Sequence, residues 1–208
     1  MDNNLVKYGI CKVKCHPITA IDTAKTDGTG YTYGTPFAIP GAIAVNLPND
    51  FASQIVWADN KKYKVIKANH GYNGSVNVVL LPAEFEEQIL GDVNGVENAD
   101  AKMADFGLAF EFNGDVNAGR VFLYHCALTQ RPGIIHNTET DSLNVDSDTL
   151  NIEVSPRLDT GDIKIKQLPG DSFYDTLLDT PPNPVTARGG VTPQENNEEN
   201  NTEEEPEN

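Results

Sequence analysis

Between residues 61 and 68, Lys62, Lys64 and Lys67 are interspersed with Tyr63, Val65 and Ile66. Successive side chains on a strand point to opposite faces, so such a run predicts a strand with one wet face and one dry face. Comparable runs occupy residues 9–18 (GICKVKCHPI), 42–47, 53–59 (SQIVWAD), 75–81, 105–112 (DFGLAFEF), 120–128 (RVFLYHCAL) and 149–155 (TLNIEVS). Asp59-Asn60 separates two of them as a tight turn, and Asn113-Gly114 opens another, so 105–112 and 120–128 are expected to pair antiparallel. Against this background one helix stands out at about 82–90. Pro82 starts it, Glu84, Glu86 and Glu87 fill the first turn, and Gly91 stops it. Phe85 and Ile89 form its apolar stripe at i, i+4, and a second short helix is expected at 172–178. The pattern predicts a mainly β fold: an antiparallel sandwich or barrel with one amphipathic helix.

Charge narrows the function classes. There are 31 Asp plus Glu against 15 Lys plus Arg, a net −16. Nucleic-acid and anionic-membrane binding draw on Lys and Arg clusters, so general affinity for either is not expected. The acid is concentrated at the C-terminal end: residues 189–208 carry seven Glu and no Lys or Arg, leaving 24 acids against 15 bases, −9, before them. With Val191 as its one apolar residue, 189–208 reads as a disordered acidic tail. Residues 179–188, opening Asp-Thr-Pro-Pro-Asn-Pro, read as a Pro-rich linker, and 1–178 as the folded β domain. No run approaches the ~18 apolar residues of a membrane span. The first residues lack a basic start and an apolar signal core, which reads as synthesis in a cytoplasm.

Chemistry-bearing residues do not converge. Cys11, Cys15, His16, His125 and Cys126 are the best zinc candidates, but Cys11 and Cys15 would sit ~13 Å apart along a strand. His125 and Cys126, being adjacent, face opposite ways, which also argues against a Cys-His nucleophilic pair. Three cysteines therefore read as small buried thiols. Residues 92–100 space their oxygens around Gly95, but that glycine comes at position four and Met103 stands where an EF-hand needs Glu, so a solvated turn is expected. Asp146 and Asp148 are a weaker acidic pair. No nucleophile elbow, phosphate-binding loop or dinucleotide fingerprint occurs, and Asp27-Gly28-Thr29-Gly30 reads as a loop tip. Neither enzymatic work nor a metal or other cofactor is expected. Two long polar loops, 22–33 and 135–148, exceed the usual hairpin lengths. They suit polar protein–protein contact, with Asp22, Lys25, Asp27, Tyr31, Tyr33, His136, Asn137, Glu139, Asp141 and Asp146 as candidate inter-subunit residues.

Several stretches, in order, resemble the major tail protein family of long-tailed, non-contractile phages of Gram-positive hosts. They are Tyr33-Gly34-Thr35-Pro36 with the apolar strand 40–47, then Ile55-Val56-Trp57-Ala58-Asp59-Asn60, then Gly74-Ser75-Val76-Asn77-Val78 running into 82–91. The aromatic hairpin 106–112 with 120–132 and the strand 149–157 follow. The resemblance spans roughly residues 8–166 and lies in order and spacing; loops 22–33 and 135–148 depart from it, and the acidic tail stands where some relatives carry an immunoglobulin-like domain. It implies a tail-tube β domain, stacked and hexameric rings, and a hollow tube that delivers phage DNA without binding it specifically. It also implies the tape-measure protein, tail terminator and distal tail or baseplate proteins as partners, no membrane insertion, and a place in the virion tail after synthesis in the host bacterial cytoplasm. In such a tube the two long loops would reach the next ring, the tail glutamates would fringe the exterior, and part of the remaining −9 would line the bore. A different class of reading is a soluble β-sandwich adhesin or carbohydrate-binding module, with calcium held by 92–100 or 146–148.

Overall fold

Phe106–Phe112 is almost continuously apolar, interrupted by Glu111, and a strand of that kind must be covered on both faces. A computed structural model, which describes residues 9–58, 60–113, 118–134 and 146–190, places it centrally in one large sheet. The strands are β1 (Ile10–Ile21), β2 (Tyr31–Tyr33), β3 (Phe37–Ala38), β4 (Ala42–Asn46), β5 (Asn49–Ala58), β6 (Lys61–Val78), β7 (Phe106–Phe112), β8 (Arg120–Leu128), β9 (Asp148–Val154) and β10 (Lys164–Gln167). The order is β2-β1-β7-β8-β9-β6-β4, with β3 added to β1, β5 to β6 and β10 to β8. These pairings are antiparallel, including the expected β7–β8 hairpin. The fold is mainly β with a short helix, as the alternation predicted.

The two faces carry separate cores. On one, Phe106, Leu108 and Phe110 of β7 join Val13, Val76, Leu123, Leu150 and Ile152. On the other, Ala109 joins Phe122, Tyr124, Leu177 and Leu178, with Tyr33 and Ile165 packed alongside. Glu111 is buried between its two cations: Lys12 donates to Oε1 at 2.8 Å and the Arg120 Nε–H to Oε2 at 2.8 Å. Burial raises the Glu111 pKa, but the hydrogen bonds from Lys12 and Arg120 outweigh it and hold the carboxyl below its usual range.

Helix α1 (Ala83–Phe85) is only the first part of the expected 82–90 helix; Glu86–Leu90 widens into a π-helical turn that ends on Gly91 at φ 77°. The wider turn lets Leu90 as well as Ile89 share a face with Phe85, and all three are buried. Phe85 meets Phe106 edge-on at 5.9 Å.

The C-terminal part differs from expectation in two places. Residues 172–178 form successive turns rather than a helix. The Arg120 guanidinium pins these turns, donating to the carbonyls of Tyr174 (2.7 Å) and Asp175 (3.3 Å). Residues 179–188 are not an extended linker. Tyr124 Oη donates to the Pro182 carbonyl, the Asn183 side chain accepts from Val185 N and Thr186 N, and Pro184 begins a one-turn helix, α2 (Pro184–Ala187). Lys14 pairs with Asp179, and Arg188 with Asp162 at 3.3 Å. Residues 191–208 of the expected tail lie outside the described residues. Among the described residues no helix is long and apolar enough to cross a membrane.

Candidate assembly surface

The strands expected at 61–68 and 75–81 are one 18-residue strand, β6. Its second half is flanked by β4 and β9, but, among the described residues, 61–69 pair with β5 alone. The result is a two-stranded arm projecting from the sheet. Asn60 at its turn adopts φ 60°, the left-handed conformation that a two-residue hairpin requires; Asp59 lies outside the described residues. At its root Gly71 has φ 110°, and a Cβ there would lie 1.8 Å from the Val154 carbonyl oxygen, so only glycine lets the strand pass this close to β9.

Cross-strand partners share a face. Phe51 opposes Asn69, Ser53 opposes Lys67, Ile55 opposes Val65 and Trp57 opposes Lys62. One face of the arm thus carries Phe51, Ile55, Val65 and Trp57 in a row about 20 Å long, edged by Lys62 and Lys67. The other carries Val56 and Ile66. The dry face expected from the alternation is not buried: Trp57 is 66% exposed, and Tyr63, bulged between Lys62 and Lys64, is 76% exposed. The reason is topological, since among the described residues no second layer lies over an arm that has left the sheet. The arm is also basic. Residues 51–70 contain Lys61, Lys62, Lys64 and Lys67 against Asp59, in a chain of net −16.

None of these arm residues was among the sequence candidates for contact. The available signal was apolar residues on both faces of 53–66, which period-two reading alone assigns to a core. The candidates themselves divide. Asp22 and Asp27 sit on the loop surface, where they accept from Ala24 N and Thr29 N, and Lys25 lies 4.0 Å from Asp22. Tyr31 and Tyr33 turn inward instead. Tyr31 Oη accepts from Leu158 N at 3.1 Å, its ring lies under the Arg157 guanidinium at 4.3 Å, and Tyr33 Oη donates to the Tyr124 carbonyl at 2.8 Å. Burial raises the pKa of both phenols, and neither tyrosine is offered to a neighbour at a loop tip. Asp27-Gly28-Thr29-Gly30 is not a loose tip either. Arg157 Nη2 donates to the Gly28 carbonyl, Gly30 N to Asp159 Oδ2, and Asn183 Nδ2 to the Asp27 carbonyl. The anchoring Arg157–Asp159 pair has side chains 2% and 0% exposed, closed by bonds of 2.9 and 2.7 Å. His136, Asn137, Glu139 and Asp141 lie outside the described residues. Asp146 is half-buried just before β9.

The metal and nucleophile candidates occupy other roles. His125 is held between Asp105 Oδ2 (3.1 Å) and Tyr31 Oη (3.2 Å), and His16 Nε2 lies 3.0 Å from the Leu178 carbonyl. Burial pushes the Cys15 and Cys126 thiols well up, away from the thiolate that metal binding or attack requires. In the acidic stretch 92–100, Asp92 and Glu97 both face Arg131, at 3.0 and 3.3 Å. Among the described residues no three His, Cys, Asp or Glu side chains are grouped to hold a metal ion.

The chain matches no protein-family model and no curated protein.

Proposed function

We propose that this protein is a structural subunit that assembles with copies of itself, as the major tail (tube) protein of a non-contractile phage tail. Stacked rings, hexameric by the resemblance, would form a hollow conduit for DNA. The observation that carries this reading is the β5–β6 arm. A two-stranded ribbon is marginal in water and an exposed apolar strand pair invites pairing, so such an arm needs a partner surface. Rings supply one for every subunit, because a contact between two different patches repeats around a closed rotation. The order of motifs along residues 8–166 supports the same assignment. The remaining acidity suits a bore that repels DNA and lets it slide, and the tape-measure, terminator and distal tail proteins are the further partners of such a tube.

Negative-stain microscopy and sedimentation velocity of the purified chain over a range of concentrations test this. Rings or tubes are expected; a species that stays monomeric at the highest concentration reached overturns it. The glycan-binding reading draws on exposed Trp57 and Tyr63 but leaves the aliphatic row Ile55, Val65 and Ile66 unexplained. Calorimetry with simple glycans and calcium separates the two.

A further inference from the structure

The far end of β6 carries a surface complementary to the arm. Where β6 gives way to Val79, Leu80 and Leu81, a groove of about 300 Å³ opens between the π-helical turn Glu86–Leu90 and the segment after β8. Its apolar wall includes Leu80 and Ile134, 65% and 91% exposed, and its acidic side includes Glu86 and Asp148. With Asp92 and Glu97 the groove is lined by four carboxylates and one guanidinium, Arg131, which Asp92 and Glu97 hold. The arm presents the opposite combination: Phe51, Ile55 and Trp57 in a row, with Lys62 and Lys67 on the same face.

We infer that the groove formed by Leu80, Leu81, Glu86, Ile134 and Asp148 receives the β5–β6 arm of a second copy of this chain. This rests on the self-assembly reading and adds the acceptor to it. Arm tip and groove lie at opposite ends of one 18-residue strand, about 50 Å apart. Along a straight strand an arm does not reach its own groove, so the contact is made between copies, either exchanged reciprocally within a pair or passed on head-to-tail. The ring reading takes the head-to-tail form, in which each subunit that docks leaves one arm and one groove open for the next. Heterologous contacts of this kind close into rings or continue as chains. Trp57 and Ile55 cover the exposed leucine and isoleucine side chains, while Lys62 and Lys67 meet Glu86 and Asp148. The opposite charges fix which surface the arm selects.

Charge reversal tests the pairing on the full chain by sedimentation velocity. Lys62→Glu with Lys67→Glu on the arm, and Glu86→Lys with Asp148→Lys on the groove, are each expected to raise the concentration needed for assembly at least tenfold. Mixing the two reversed proteins restores assembly, because each acidic arm then meets a basic groove and each basic arm an acidic one. The single substitution Leu80→Ser, which changes no charge, weakens wild-type assembly in the same direction. If the groove variants assemble like wild type while the arm variants do not, the arm docks elsewhere: the acceptor is wrong and self-assembly stands. If both variants are monomeric and mixing restores nothing, the pairing is also overturned. A wild-type chain that never assembles removes the self-assembly reading itself.

Discussion

His16 shows how a residue that the sequence offers for chemistry is used for packing. Its ring is fully buried against Phe122 at 5.1 Å, and its Nε2 lies against the Leu178 carbonyl. Burial lowers its pKa to about 4, outweighing the hydrogen bond that favours the charged form. A histidine with a depressed folded pKa is neutral in the native state while the unfolded chain still takes up a proton near pH 6.5. Its effect on stability is therefore nil above about pH 7, grows unfavourable as pH falls toward 4, and levels off below that. Between pH 7 and 5 the loss amounts to about 2 kcal/mol. Urea unfolding at the two pH values checks this, with His16→Gln expected to lose that part of the pH dependence. Arg157 and Asp159 act at the same scale: two residues either side of Leu158 that anchor the 22–33 loop through Gly28 and Gly30. Their alternation pattern carries no hint of it, because the partners lie about 130 positions away.

Among the elements, β6 departs furthest from its sequence expectation. Its residues were legible as a strand; its continuity was not, since the Asn69-His70-Gly71 stretch resembles a break. A bulge there, with Asn69 Oδ1 accepting from Gly71 N, carries the strand on instead. The arm beyond it has few contacts with the rest of the chain, so its amides are expected to exchange rapidly in the monomer and to become protected on assembly. Hydrogen exchange across 51–58 and 61–69, before and after assembly, reads this directly. Trp57→Ala should slow assembly yet change monomer stability by no more than about 0.5 kcal/mol, because the indole is exposed. The β7–β8 hairpin is the contrasting case. Its aromatic density announced a buried pair, and the two cores on its opposite faces account for every apolar position in β7.

For the whole molecule, the charge is polarised: a basic arm at one end of β6, acid over the rest. If arm and groove meet as inferred, assembly is steered by attraction that salt screens, over a Debye length of ~10 Å at 0.1 M. Raising salt from about 0.05 to 0.5 M should increase the assembly concentration several-fold; light scattering during a salt titration measures it, and a flat response would assign the contact to apolar burial alone. Local pattern was enough to read a mainly β domain, most strands, the β7–β8 pairing, and the start, stop and buried stripe of the helix. These follow from periodicity and from Pro and Gly rules that act over a few residues. Which dry faces are covered was set by long-range packing. Packing turned Tyr31 and Tyr33 inward, drew 179–188 onto the sheet through Tyr124 and Lys14, and left Phe51, Ile55 and Trp57 outside any core. Burial depends on what packs across from a strand, and local alternation contains no record of whether that partner is this chain or another.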